Sequence, residues 1–336
     1  MYNGTRVFDV HGHLTAPGNN FVVTLMSSNH ATASPIAGGK SGSGDLSDES
    51  FRNAAKRHLD YMEERKIDVQ IIGPRPFTMM GWMKPHLLPS WVGYTNDRLF
   101  KQCQAFPGRF IGAAQLPQIS SAPDLSNCLP ELQRCHKEYG FVAAYLSPDP
   151  AGERNTPAMD EPYWYPVYEY CQANGLPIIV HGTNCLDTRI SRLRSNYQIG
   201  FVIEQFIATL TFTQSDVFDK FPELKVIICH GGGVLDRFVR EAGWRGRDRD
   251  LSRNLFFDSC CYDDDFLTCM IKQRGVDQVC FGTEAPGSGA AIRKDTGKSS
   301  DHLVDIIGGY SWLSEEEKVK IFNTNPAKVC PAFTKV

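Results

Sequence analysis

The chain has 336 residues, 42% of them apolar, and a formal net charge of −3. This is enough for one large domain, or two modest ones, with a sizeable core. A near-neutral balance without a long basic run argues against nucleic acid or an anionic membrane as partner, and no apolar run approaches the ~20 residues of a membrane helix.

In chain order, the first apolar run is Arg6–His11, which reads as a strand. Ser27–Asp48 follows it, rich in Gly and Ser and too polar for a core element; it reads as a flexible insertion, a lid or an entrance loop at the mouth. Its Gly38–Gly44 stretch lacks the spacing of a phosphate loop. Ser50–Arg65 carries Phe51, Ala54, Ala55, His58, Leu59 and Met62 at helical spacing. Asp68–Gly73 reads as the second strand, Asn96–Phe106 as a helix, and Phe110–Leu116 and Phe141–Leu146 as further strands. Tyr163–Asn174 is helical and leads into the strand Leu176–His181. Leu224–His230, Leu255–Ser259 and Gln278–Gly282 complete the strands, and Glu315–Phe322 closes the chain as a helix.

Most of these runs lack polar alternation, which fits strands buried on both faces. Strands alternating with helices imply a parallel sheet, and eight such units fit an α/β chain folded as a (β/α)8 TIM barrel. A single domain, 1–336, is expected. The 11 cysteines include no Cys-x-x-Cys pair and several lie in apolar runs, at Cys103, Cys171, Cys229 and Cys280. With no signal-peptide pattern at the N-terminus, this composition predicts a reduced, cytoplasmic protein.

The barrel geometry selects the site. In such barrels the active site forms at the C-terminal ends of the strands. His11, His13, His181, His230 and Glu284 all fall there. Alternate strand residues share a face, so His11 and His13 point together, with Asp9 expected in the same row. Each histidine alone is more simply a packed or hydrogen-bonded side chain. Their convergence predicts a metal site.

The motifs resemble the amidohydrolase superfamily, in its aminocarboxymuconate-semialdehyde-decarboxylase-like branch (amidohydrolase family 2). They are Asp9-Val-His11-Gly-His13, Phe106-Pro-Gly-Arg-Phe-Ile-Gly112, Gly175-Leu-Pro-Ile-Ile-Val-His181, Phe221-Pro-Glu-Leu-Lys-Val-Ile-Ile-Cys-His230-Gly-Gly-Gly233, Phe281-Gly-Thr-Glu284 and Asn323-Thr-Asn-Pro-Ala327. The resemblance implies one divalent ion per chain, usually Zn2+, held by His11, His13 and His181 with Glu284 nearby. It implies that His230 acts beside the metal, and that the chain forms a homodimer or a higher homo-oligomer. Most of the branch has aspartate where this chain has Glu284. The run Cys280-Phe-Gly-Thr-Glu-Ala-Pro-Gly-Ser-Gly289 resembles the branch's hydratases, which implies addition of water to the conjugated double bond of a keto-tricarboxylate.

For that chemistry Glu284 is the candidate base, as ligand, proton carrier or both. His230 or Cys185 would deliver the proton to carbon, and Asp9 would orient a histidine. A di- or tricarboxylate needs cations and donors at the mouth. Arg75, Arg189, Arg192, Arg194, Tyr197 and Arg293 are the candidates, with Tyr145 and His302 as further donors. His58 and His136 read as packing or surface residues. A decarboxylase of a related acid, a lactone or amide hydrolase, and a catalytically silent binding module remain as alternatives.

Overall fold

The computed structural model describes residues 1–15, 47–183, 185–190, 193, 196–237 and 250–336, with backbone only at 196 and 197. The expected insertion Ser27–Asp48 lies outside the described residues except for Ser47 and Asp48.

Eight parallel strands pair in chain order. They are β1 (Phe8–His13), β2 (Val69–Gly73), β3 (Phe110–Gln115), β4 (Ala143–Leu146), β5 (Ile178–Val180), β6 (Val226–Ile228), β7 (Leu255–Asp258) and β8 (Val279–Cys280). Val10 N donates to Phe281 O at 2.9 Å and Glu284 N donates to His11 O at 2.7 Å. These bonds join the end of β8 to β1 and complete the (β/α)8 barrel. The main helices between strands are α1 (Asp48–Glu64), α2 (Leu88–Ala105), α3 (Leu129–Tyr139), α4 (Tyr165–Asn174), α5 (Asn196–Gln214) and α6 (Asp264–Arg274).

Each strand is buried on both faces. Val69, Ile71, Ile111, Ala113, Ala143, Tyr145, Ile179, Ile227 and Phe256 form one cluster inside the ring. Their neighbours Ile72, Ala114, Ala144, Ile178, Val226, Ile228 and Phe257 belong to the cluster shared with the helices. This is why the strands read as continuous apolar runs. Phe333, in the C-terminal turn, stacks on Phe8 at 4.8 Å and belongs to the inner cluster.

The helices depart from expectation in instructive ways. α2 starts at Leu88 rather than Asn96, with proline in its first turn, where a missing N–H costs nothing. Ser47 caps α1 by accepting from Ser50 N. α5 has no clear polar stripe, because Phe201, Val202, Ile203, Phe206 and Ile207 lie all round it. Periodicity therefore misses it. Glu315–Phe322 is split into a short α-helix, Glu315–Val319, and a π turn, Lys320–Thr324.

Candidate active site

The strands deliver their histidines by local irregularity as well as by alternation. In β1 the register with β2 shifts between Asp9 and Gly12. Phe8 and Val10 belong to the inner cluster, yet His11 and His13 also turn toward the barrel mouth. A bulge of this kind re-aims side chains. It also corrects the expectation for Asp9, which is not in the histidine row and orients no imidazole. Its carboxylate accepts from His11 N at 2.8 Å, Gln70 Nε2 at 2.8 Å and Thr283 Oγ1 at 2.6 Å. Burial raises its pKa to about 6 despite those donors. His230 follows β6 in a left-handed backbone conformation with φ 53°, and Glu284 follows β8 with φ 57°. Such conformations are costly for non-glycine residues and cluster at working sites.

Four imidazoles converge. The rings of His11 and His13 are 5.0 Å apart, those of His11 and His181 5.0 Å, and those of His181 and His230 4.9 Å. Each ring is held through Nδ1. His11 Nδ1 bonds Asp258 Oδ2 at 2.7 Å, His13 Nδ1 the carbonyl of Pro74 at 2.9 Å, and His181 Nδ1 the carbonyl of Gly182 at 2.6 Å. His230 Nδ1 meets the amide of Gln205 at 3.0 Å. The Nε2 atoms of His11, His13, His181 and His230 are buried, and none has a hydrogen-bond partner among the described residues. A proton kept on Nδ1 by an acceptor leaves the Nε2 lone pair facing the centre, which is how ligating histidines are prepared. Burial pushes His13 down to about 4 and His181 well below its ordinary value, so both are neutral at pH 7.

Glu284 completes the group. Its Oε1 lies 3.6 Å from His13 Nε2 and 3.8 Å from His230 Nε2. Donor atoms of His11, His181, His230 and Glu284 all fall within 4.8 Å of one another. Burial opposes the charge on Glu284, so the carboxylate needs a positive partner at this centre. Neutral nitrogen donors with one carboxylate suit a divalent transition ion. The orphaned, inward Nε2 atoms fit such an ion, and among the described residues no protein donor competes for them.

The cleft above this group has a volume of about 410 Å3 and is lined by His13, Arg75, Phe77, Glu284, Pro286 and Ser288, among others. Arg75 is fixed there by donating from Nε to Leu14 O at 3.0 Å and from Nη2 to Pro286 O at 3.3 Å. Tyr145 lies deeper, its ring stacked 5.7 Å from that of His181 and its buried hydroxyl without a hydrogen-bond partner among the described residues.

Other expected residues lie elsewhere. Arg293 is placed in a neighbouring cavity of about 290 Å3, with His302. The reason is a hairpin in which Ile292 bridges Ser299, holding the Arg293 guanidinium against Asp264 of α6. Among the described residues that line the cleft, neither Arg293 nor His302 appears. Arg189 is 80% exposed and paired with Asp187. Cys185 is half-buried, outside the histidine group; its Sγ accepts from Asp187 N at 3.4 Å and its Cβ lies close against Gly200 of α5. Arg192, Arg194 and the side chain of Tyr197 lie outside the described residues. His58 is buried, and His136 bonds Tyr170 on the outer layer.

Sequence reading missed Asp258, Gln205, Tyr262 and Ser288. Asp258 had a signal, since it ends an apolar run at the same barrel face as the histidines. Gln205 had none, because it lies in the helix without a polar stripe.

The fold and these converging donors define a (β/α)8 barrel with a candidate metal site at its mouth. A sequence-family model described as amidohydrolase matches residues 8–331, and the chain belongs to that family. It is 28% identical over 301 residues to a 2-keto-4-carboxy-3-hexenedioate hydratase from Sphingobium sp. (strain NBRC 103272 / SYK-6), covering 85% of each chain. The solved 4-oxalomesaconate hydratase from Rhodopseudomonas palustris is 29% identical, with a TM-score of 0.80 over 98% of this chain and 97% of that one. A gamma-resorcylate decarboxylase from Polaromonas sp. (strain JS666 / ATCC BAA-500) is 34% identical over 288 residues, 79% of this chain and 83% of the relative.

Proposed function

We propose that this chain is a zinc-dependent hydratase. It would add water to the conjugated double bond of 4-oxalomesaconate, giving 4-carboxy-4-hydroxy-2-oxoadipate, in bacterial protocatechuate catabolism. The observation that carries the reading is Glu284, a buried carboxylate facing four orphaned imidazole nitrogens, in a chain that superposes over nearly its whole length on a hydratase.

His11, His13 and His181, with Glu284 Oε1, would hold one Zn2+, and His230, whose donor atom falls within 4.8 Å of those of His11, His181 and Glu284, would sit beside it. When bound, such an ion supplies Lewis acidity and lowers the pKa of a coordinated water from ~15.7 toward ~7. In the 2-keto-4-carboxy-3-hexenedioate tautomer of this substrate the double bond is conjugated to the ketone, so its far carbon is electrophilic. Water's oxygen bonds to that carbon, the π electrons move toward the ketone oxygen, and Glu284 takes one water proton. The adjacent carbon takes a proton from His230. Glu284 Oε1 and His230 Nε2 are 3.8 Å apart, so the proton taken can return to the imidazole. His230 suits this role better than Cys185, which lies outside the histidine group. Arg75 in the cleft wall would pair with a substrate carboxylate.

Decarboxylation of a related unsaturated or aromatic acid is the second reading, favoured by the 34% identity to a gamma-resorcylate decarboxylase. Turnover in 18O-labelled water separates the two. A hydratase gives a product that retains every carboxylate and carries one labelled hydroxyl. A product that has lost a carboxylate would overturn the proposal.

A further inference from the structure

We propose that Tyr262 and Ser288 are positioning residues that occupy one oxygen of Glu284 and leave Oε1 as its single working oxygen. This rests on the reading that Glu284 serves the metal centre. The two carboxylate oxygens have opposite surroundings. Oε2 accepts from the Ser288 hydroxyl, from Ser288 N at 3.3 Å and from Tyr262 OH at 3.2 Å. Among the described residues, Oε1 faces only the imidazole nitrogens of His13 and His230 within ion-pair range.

Tyr262 is itself fixed. Its hydroxyl carries one proton, shared between Glu284 Oε2 and Thr283 O at 2.9 Å, and it accepts from Cys260 Sγ at 3.4 Å. The loop after β8 is shaped around the carboxylate. A Cβ on Gly287 would lie 2.2 Å from Glu284 O and 2.8 Å from its Cγ. A Cβ on Gly289 would lie 2.7 Å from the Tyr262 ring. Gly287-Ser288-Gly289 thus wraps the glutamate, with Ser288 turned onto Oε2 and both flanking glycines needed for the approach.

The arrangement gives the extra methylene a purpose. A glutamate spans from the Tyr262–Ser288 pair to the histidine nitrogens. An aspartate at the same backbone position is one methylene too short to engage both at once. Glu284 and the Gly-Ser-Gly that follows it are one device.

Zinc affinity tests this without any substrate, so an error in the assigned reaction would leave the result intact. Affinity would be read by competition with a chromophoric chelator in Ser288→Ala, Ser288→Thr and Tyr262→Phe, beside kcat and KM. Partners that orient a metal ligand are worth about 10–100-fold in affinity or activity. Ser288→Ala should weaken zinc at least about ten-fold and lower kcat with KM little changed, and Ser288→Thr should restore most of both. Tyr262→Phe should weaken zinc less, since Ser288 still holds Oε2, and the double variant should lose more than the product of the single effects, since both side-chain donors to that oxygen are then gone. Zinc affinity within about two-fold of wild type in both single variants would overturn the proposal. Should Ser288→Ala fail to fold, Tyr262→Phe and Ser288→Thr decide it: wild-type affinity in the former overturns it, and loss in the former with retention in the latter supports it.

Discussion

Asp258 lies below the cleft, yet it sets the chemistry of His11. Its carboxylate accepts a hydrogen bond from His11 Nδ1 at 2.7 Å and also accepts from Gly231 N and Cys260 N. Burial alone would raise its pKa, but the contact with His11 holds it below the ordinary value, so it stays ionised. Asp258→Ala should weaken metal binding by about 10–100-fold, measured by chelator competition, and Asp258→Asn should recover part of the loss by keeping an acceptor. Unchanged affinity in the alanine variant would remove Asp258 from the account. Glu284→Gln keeps the shape but loses the charge. It should lower kcat by about 10²-fold or more, and near-full turnover with metal retained would discard Glu284 as the base. His11, His13, His181, His230 and Glu284 were legible because strand ends in a parallel barrel share one face. Arg293 lines the neighbouring cavity and not the cleft for a physical reason. Its place after β8 was visible, but the hairpin that turns it onto Asp264 depends on pairing between Ile292 and Ser299, which no local pattern announces.

At the scale of elements, the eight strands were legible because both faces are apolar. The bulge in β1 and the turn after β6 were not, although they aim His11, His13 and His230. The His-Gly-Gly-Gly turn depends on close approach to α5. Gly233 has φ 83°, and a Cβ there would lie 2.1 Å from the carbonyl of Val202. Arg274 of α6 fixes the same turn, donating to Gly231 O at 3.1 Å and Val234 O at 3.2 Å. Gly233→Ala should therefore destabilise the fold by about 2 kcal/mol or more through backbone strain and displacement of α5. Urea unfolding would show a lowered midpoint, and a midpoint equal to wild type would contradict this packing.

Across the whole molecule, a buried polar chain links the strand layer to the helices. His58 of α1 bonds Gln70 Oε1 at 2.6 Å through Nε2, and through Nδ1 it meets Thr15 Oγ1 at 2.9 Å and Gln102 Nε2 at 2.9 Å. Gln70 in turn donates to Asp9. Burial pushes His58 down to about 3. The unfolded chain takes up this proton below the ordinary value of 6.5, while the folded chain resists it until about pH 3. The unfolded state thus binds more protons in that window, so this group's contribution is full above pH 6.5 and is lost as pH falls toward 3. The stability gap between wild type and His58→Gln should narrow by up to about 1.4 kcal/mol per pH unit below pH 6. A gap independent of pH would mean that His58 is protonated in the fold. Among the described residues, no helix is long and apolar enough to cross a membrane.

The central claim is hydration at a metal centre built on Glu284. The most direct test is an absorbance assay of the zinc-loaded protein with 4-oxalomesaconate, with carbon dioxide followed in the same reaction. The account predicts loss of the conjugated chromophore without carbon dioxide. Carbon dioxide released in step with the absorbance change would contradict it and place the chain among the decarboxylases.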